Sequence, residues 1–166
     1  MGKDEDYAEF VSARWLTLVR AALALGCSLA EAEDLAQTTM VKVYVAWSKV
    51  QRAEHRDAYV SKMLVNAHRD SFRRRRETPL AVLPEVAGPD ASASYDAADA
   101  INRAVARLNQ GQREVIALRY FVRLTEPEIA TALGVAPGTV KSRLSRALAA
   151  LSADTTLTDL RDGGTP

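Results

Sequence analysis

The 166-residue sequence contains very little cysteine, histidine, glycine and proline. Its one cysteine, Cys27, excludes a disulfide within the chain, and with only two histidines the chain lacks the ligands of a thiolate-rich zinc site. No apolar run is long enough to cross a bilayer, and the first residues are acidic where a signal peptide would be basic and then apolar. We therefore expect a cytoplasmic protein with no metal, no cofactor and no membrane insertion.

The sequence also lacks the motifs of common enzyme classes. It has no glycine-rich phosphate loop, no nucleophile elbow and no paired-carboxylate constellation. His68 has no partner in the sequence that would complete a metal site or an acid–base pair, so a surface or DNA-facing position is expected for it. These absences predict that the chain is not an enzyme.

Helix-forming residues are abundant, because the chain has 29 alanines together with many leucine, arginine, glutamate and lysine residues. The formal net charge of +1 is unevenly distributed: residues 1–76 and 101–151 are basic, whereas residues 77–100 between them carry five acidic residues, no basic ones and three of the six prolines. Such a segment is typical of a linker. We predict an all-α fold in which two small helical domains, at 1–76 and 98–151, are joined by a flexible acidic linker at 77–97 and followed by a short disordered tail at 152–166.

Periodic apolar residues predict the first two helices of the first domain. Apolar side chains recur every three or four positions over Tyr7–Leu25, and Gly26 is expected to end this helix. Ser28 and Glu31 have the spacing of a capping box, in which each residue satisfies the other's backbone amide. A second helix should therefore cover about Leu29–Trp47.

A third helix follows the polar stretch Ser48–Arg56, which is predicted to be a loop. Asp57 is expected to cap this helix, and Phe72 is expected to lie on its inward face. The helix ends in four consecutive arginines, Arg73–Arg76, which are either a solubilising helix end or part of a surface that faces nucleic acid.

The second domain contains a helix-turn-helix pattern. Thr125 and Glu128 form another capping box, Gly134 supplies a turn with positive φ, and a second helix begins at about Pro137. The N-terminal half of such a second helix enters the major groove of DNA, although a solvated basic face is the alternative interpretation. The outward side chains expected to contact DNA are Thr139, Lys141, Ser142, Arg143, Ser145 and Arg146.

Three stretches of the chain carry a family resemblance. They read AEDLAQTTMVKVY, AYVSKMLVNAHRDSFRRRR and LTEPEIATALGVAPGTVKSRLSRALAAL, in this order. The chain resembles an RNA polymerase sigma factor of the extracytoplasmic-function group, with a sigma-2 domain followed by a sigma-4 domain. The resemblance implies a subunit that binds core RNA polymerase, recognises the −35 and −10 promoter elements and assists DNA opening.

The same resemblance implies roles for individual residues. The helix over Glu33–Tyr44 would dock on the clamp helices of the largest polymerase subunit through Asp34, Gln37, Val41 and Lys42. The −10 element would be bound by Asn66, Arg69, Arg73 and Arg74, and the −35 element by Lys141, Ser142, Ser145 and Arg146. The polymerase flap is a further implied contact, and an anti-sigma factor is a further candidate partner.

Two other functions compete with this one. A stand-alone helix-turn-helix repressor or activator would use its N-terminal helices only for dimerisation or sensing, and a polymerase-binding modulator would have lost promoter recognition. The presence of both modules in one chain favours the sigma factor, since a repressor has no need of a polymerase-docking helix. In a free sigma factor with such a linker, we expect the two domains to move independently until a partner fixes them.

Overall fold

The computed structural model describes residues 2–77 and 102–153, and every regular element within those ranges is helical, which confirms the predicted fold class. The linker, apart from Glu77, and nearly all of the tail lie outside the described residues. The first domain has four helices: α1 (Lys3–Ala24), α2 (Leu29–Val45), α3 (Trp47–Arg52) and α4 (Arg56–Glu77).

The second domain begins, among the described residues, with a helical stretch at 102–106. Helix α5 (Gln110–Ile116) then continues directly into a π-helical turn (Ala117–Phe121), and α6 (Glu126–Leu133) and α7 (Pro137–Ser152) complete the domain. In a regular α-helix each backbone amide donates to the carbonyl four residues earlier. The structure instead widens the last turn to a bond from the Val122 amide to the Ala117 carbonyl, and Arg123 follows with a positive φ of 67°.

The core of the first domain is built around Trp47, which is 2% exposed. Its indole lies 5.6 Å from the ring of Tyr7 and 5.3 Å from that of Phe10, both on α1. The Tyr7 hydroxyl donates to the Met40 carbonyl at 2.8 Å, which ties α1 to α2. The predicted capping box at Ser28 and Glu31 is present and begins α2.

Three local expectations for the first domain are wrong. Part of the predicted loop Ser48–Arg56 forms α3, because Trp47 and Val50 are both buried and hold a helical turn against the core. Asp57 lies inside the first turn of α4, and its carboxylate accepts a bidentate pair of hydrogen bonds from Arg14 at 2.8 and 3.0 Å. Phe72 is 46% exposed, with the Arg76 guanidinium over its ring.

The helix-turn-helix is confirmed as predicted. Thr125 caps α6 with Glu128 in a capping box, and Gly134 adopts a left-handed conformation with φ of 67°. Pro137 then occupies the first turn of α7, and Val140 and Leu144 face the domain core. The turn therefore fixes α7 against α6 and leaves the opposite side of α7 exposed.

The two domains pack against each other, which differs from the expected independence. Ala58 and Val65, both on α4, belong to the buried cluster of the second domain, and Ala117 belongs to that of the first. His55 also pairs with Glu128 across the interface at 3.2 Å. The sequence pattern does not predict that this second side of α4 is buried, because its apolar residues are small. The apolar residues on the other side of α4 are enough by themselves to predict the helix.

Candidate nucleic-acid interface

The exposed face of α2 carries all four residues expected to dock on polymerase. Asp34, Gln37, Val41 and Lys42 follow one another at helical spacing, and all four are exposed. The other side of the helix, with Leu35, Ala36 and Met40 among its residues, is buried against α1 and α4. One side of helix α2 is therefore packed against the core, and its other side presents a mixed polar and apolar surface.

One further exposed residue on this face of α2, Val45, was not predicted from the sequence. Val45 is 81% exposed and lies one helical turn after Val41, which is itself 59% exposed. Two exposed β-branched apolar residues in line on a helix are a typical contact for a partner protein. The spacing of the two valines was the available signal, but Val45 stands at the predicted helix end, where burial could not be judged.

Helix α4 exposes three of the four residues assigned to the −10 element. Asn66, Arg73 and Arg74 are exposed along the helix. Arg73 pairs with Asp70 on the same helix at 3.0 Å, whereas Arg74 has no ion-pair or hydrogen-bond partner in the described parts of the chain. The face is therefore basic and accessible, and Arg74 is its most available cation for a phosphate.

Arg69, the fourth of these residues, is already engaged. Its guanidinium donates two hydrogen bonds to Glu114 of the second domain, at 2.8 and 2.7 Å. The hydrogen bond from Glu114 raises the pKa of Arg69, since the carboxylate stabilises the charged form. In this arrangement Arg69 does not face solvent as freely as its neighbours on the helix.

Helix α7 divides the predicted −35 residues into two groups. Lys141, Ser142, Ser145 and Arg146 are exposed and share one side of the helix. Thr139 and Arg143, one turn apart, are half-buried on another side. The Arg143 side chain lies over Gly111 of α5, where an added Cβ would be 3.1 Å from its guanidinium carbon. Four of the six side chains therefore form one surface that could enter a groove.

A cleft separates α2 and α4 from α5. Its volume is about 520 Å³, and it is lined by Asp34, Lys42, His68 and Arg74 of the first domain and by Arg113 of the second. His68 is half-buried in the wall of this cleft and is less exposed than expected, and this burial lowers the pKa of its imidazole. Burial raises the pKa of the Cys27 thiol to about 11, which makes it unreactive near neutral pH.

Within residues 2–77 and 102–153, no three His, Cys, Asp or Glu side chains are placed to hold a metal ion. In those same ranges no helix is long and apolar enough to cross a membrane. The candidate functional surfaces are three exposed helix faces, on α2, α4 and α7, and those of α4 and α7 are basic. A helix-turn-helix with a basic outward face defines a DNA-binding protein of transcription.

Comparison with known proteins identifies the family. Residues 11–78 match the model for sigma-70 region 2, and residues 98–151 match that for sigma-70 region 4. The chain is 33% identical over 162 residues to RNA polymerase sigma-E factor of Streptomyces coelicolor, covering 96% of this chain and 92% of that protein. It is also 33% identical to ECF RNA polymerase sigma factor SigL of Mycobacterium tuberculosis, covering 87% and 84%.

The fold has close counterparts among solved structures. The sigma factor RpoE of Bartonella quintana, solved in complex with the anti-sigma factor NepR, superposes with a TM-score of 0.74 at 26% identity, covering 93% of this chain and 98% of that one. The chain belongs to the extracytoplasmic-function group of the sigma-70 family. It is a promoter-specificity subunit that binds core RNA polymerase, recognises −35 and −10 promoter elements and promotes DNA opening.

Proposed function

We propose that the three exposed helix faces divide the work of the sigma factor. The α2 face, with Asp34, Gln37, Val41 and Lys42, docks on the clamp helices of the largest polymerase subunit. Helix α4 holds the −10 element, helix α7 reads the −35 element, and the second domain also contacts the polymerase flap. Residues 1–76 act as the sigma-2 domain and 98–151 as the sigma-4 domain.

The observation that carries this proposal is the construction of α2. Its buried side is fully used by the core, so the exposed Asp34, Gln37 and Lys42 contribute little to folding. Charged and amide groups beside two exposed valines suit a specific protein interface, with an apolar centre and a polar rim. A stand-alone repressor would have no use for this surface.

Charge and accessibility support the proposed DNA contacts of α4 and α7. Asn66, Arg73 and Arg74 on α4 can hold phosphates of a single strand and the edge of an unpaired base. Extrusion of a base costs a few kcal/mol, which favours a −10 element that melts easily. On α7, Lys141 and Arg146 can donate to guanine O6 and N7, while Ser142 and Ser145 can serve bases or phosphates.

The chain performs no covalent chemistry in this scheme, and polymerase supplies the catalysis in the cytoplasm. An anti-sigma factor is a further proposed partner, supported by the likeness to RpoE of Bartonella quintana, which was solved with one.

The polymerase-docking assignment can be tested with two charge reversals. Asp34→Arg should reduce binding to core polymerase at least tenfold, because it places a cation on the docking face. Glu9→Arg is the matched control: Glu9 is an exposed carboxylate on α1, and the substitution makes the same change in net charge. Binding is measured by fluorescence titration of labelled chain with core polymerase. Equal affinity of the two variants, both folded by circular dichroism, would place the docking surface elsewhere.

A further inference from the structure

An ion pair between a partly exposed arginine and a buried carboxylate joins the helix of the −10 surface to the helix-turn-helix domain. Glu114 is the one charged residue that is buried among residues 2–77 and 102–153, with its side chain only 2% exposed. Arg69 donates from Nε to Oε1 at 2.8 Å and from Nη2 to Oε2 at 2.7 Å, and Gln110 donates to Oε1 at 3.2 Å. Glu114 therefore finds its cation in the other domain.

This pair occupies the donors that a DNA phosphate would use. A guanidinium presents a planar fork of N–H groups that fits carboxylates and phosphates alike. The fork of Arg69 is filled by both oxygens of Glu114, so the carboxylate stands where a phosphate of the −10 strand would be held. While this pair is made, the Nε–Nη2 fork of Arg69 is not available to a phosphate, and only its other Nη hydrogens can still donate.

The same arrangement brings the second domain close to the polymerase-docking face. Asp34 and Lys42 line the cleft whose other wall includes Gln110 and Arg113 of α5. Arg113 also lies against Gly26, where an added Cβ would be 2.8 Å from its guanidinium nitrogen. A polymerase helix that docks on α2 from this side would meet α5, so docking and the closed arrangement compete.

The contact is of a kind that can open. When the domains separate, both Arg69 and Glu114 regain water, and this hydration offsets much of the attraction that the ion pair provides. The apolar part of the interface includes the small residues Ala58, Val65 and Ala117.

We propose that the Arg69–Glu114 pair is an autoinhibitory latch, in which a buried carboxylate imitates a DNA phosphate and holds the free sigma factor closed. The inference rests on the proposed function, because it assigns a regulation to the α2 and α4 surfaces named there. Binding to polymerase then selects the open arrangement. The apparent affinity of the chain for polymerase equals the affinity of the open arrangement multiplied by the fraction of molecules that are open.

The test compares Glu114→Gln with Glu126→Gln in the full chain. Both variants lose one carboxylate of the second domain, but Glu126 is only half-buried at the start of α6 and makes no hydrogen bond or ion pair among the described residues. Small-angle scattering of the free chain should show an increased radius of gyration for Glu114→Gln alone. Its affinity for core polymerase should rise about tenfold, whereas Glu126→Gln should match the parent.

A second variant, Arg69→Gln, removes the other partner of the ion pair. It should show the same increase in the radius of gyration. The latch would be overturned if Glu114→Gln changed neither the radius of gyration nor the affinity for polymerase. It would also be overturned if the second domain of Glu114→Gln unfolded, because Glu114 would then be a structural residue. Failure of the proposed function would give a different result. The parent chain would then not bind polymerase, whether or not the radius of gyration of Glu114→Gln increases.

Discussion

The turn of the helix-turn-helix offers a prediction whose size follows from the structure. Gly134 has a φ of 67°, and a Cβ built on it would meet no atom within 4 Å. Replacement by alanine therefore adds no clash and costs only the left-handed backbone strain of an L-residue, about 1–2 kcal/mol. Alanine also restricts the unfolded chain, which returns about 0.4–1 kcal/mol. We expect Gly134→Ala to lower the free energy of unfolding by about 1 kcal/mol.

Gly138 provides the matched control, since it lies four residues later, inside the first turn of α7, and a Cβ there is equally free of contacts. Its φ is not positive, so Gly138→Ala should stabilise by a few tenths of a kcal/mol through helix propensity. In urea unfolding followed by circular dichroism, with a slope near 2 kcal/mol per M, Gly134→Ala should lower the midpoint by about 0.5 M. Equal midpoints for the two variants would refute the reasoning about the turn.

Three further predictions concern the recognition helix, the core of the first domain and the cap of α6. Lys141→Ala or Arg146→Ala should reduce discrimination of the −35 element by about 1–3 kcal/mol, a factor of roughly 5–150, in promoter-binding titrations of the holoenzyme; Arg123→Ala removes an equal charge outside α7 and should leave discrimination unchanged. Trp47→Ala should destabilise the chain by about 3–5 kcal/mol in denaturant unfolding, because the side chain is 2% exposed, and a loss under 1 kcal/mol would contradict its place in the core. Thr125→Ala should cost about 1 kcal/mol in the same assay through loss of the α6 cap, and an unchanged midpoint would count against that cap.

Much of the fold was predictable because it rests on local signals. Ser28 and Thr125 begin their helices through capping boxes formed within four residues, and Gly134 ends α6 by its own conformational freedom. Such signals act within a few residues and do not depend on how the rest of the chain folds. These local signals therefore predicted α2, α6 and α7 correctly, but none of them indicated α3, whose short turn depends on the burial of Trp47.

The arrangement of the surfaces was less accessible from sequence. Arg69 and Glu114 are 45 residues apart, and no pattern of spacing indicates that they form an ion pair. Likewise, Arg143 looks like any other basic residue of the recognition helix until Gly111 is seen beneath it. Long-range partners depend on how two domains meet, which periodicity within one helix does not encode.

The central claim is that this chain directs polymerase to promoters that carry both elements. The most direct test is transcription in vitro by core polymerase with the purified chain on genomic fragments, followed by mapping of transcript starts. The account predicts starts at discrete sites that share one −35 and one −10 sequence, and loss of those starts when either sequence is changed. Starts that are unaffected by the added chain, or by changes in both elements, would contradict it.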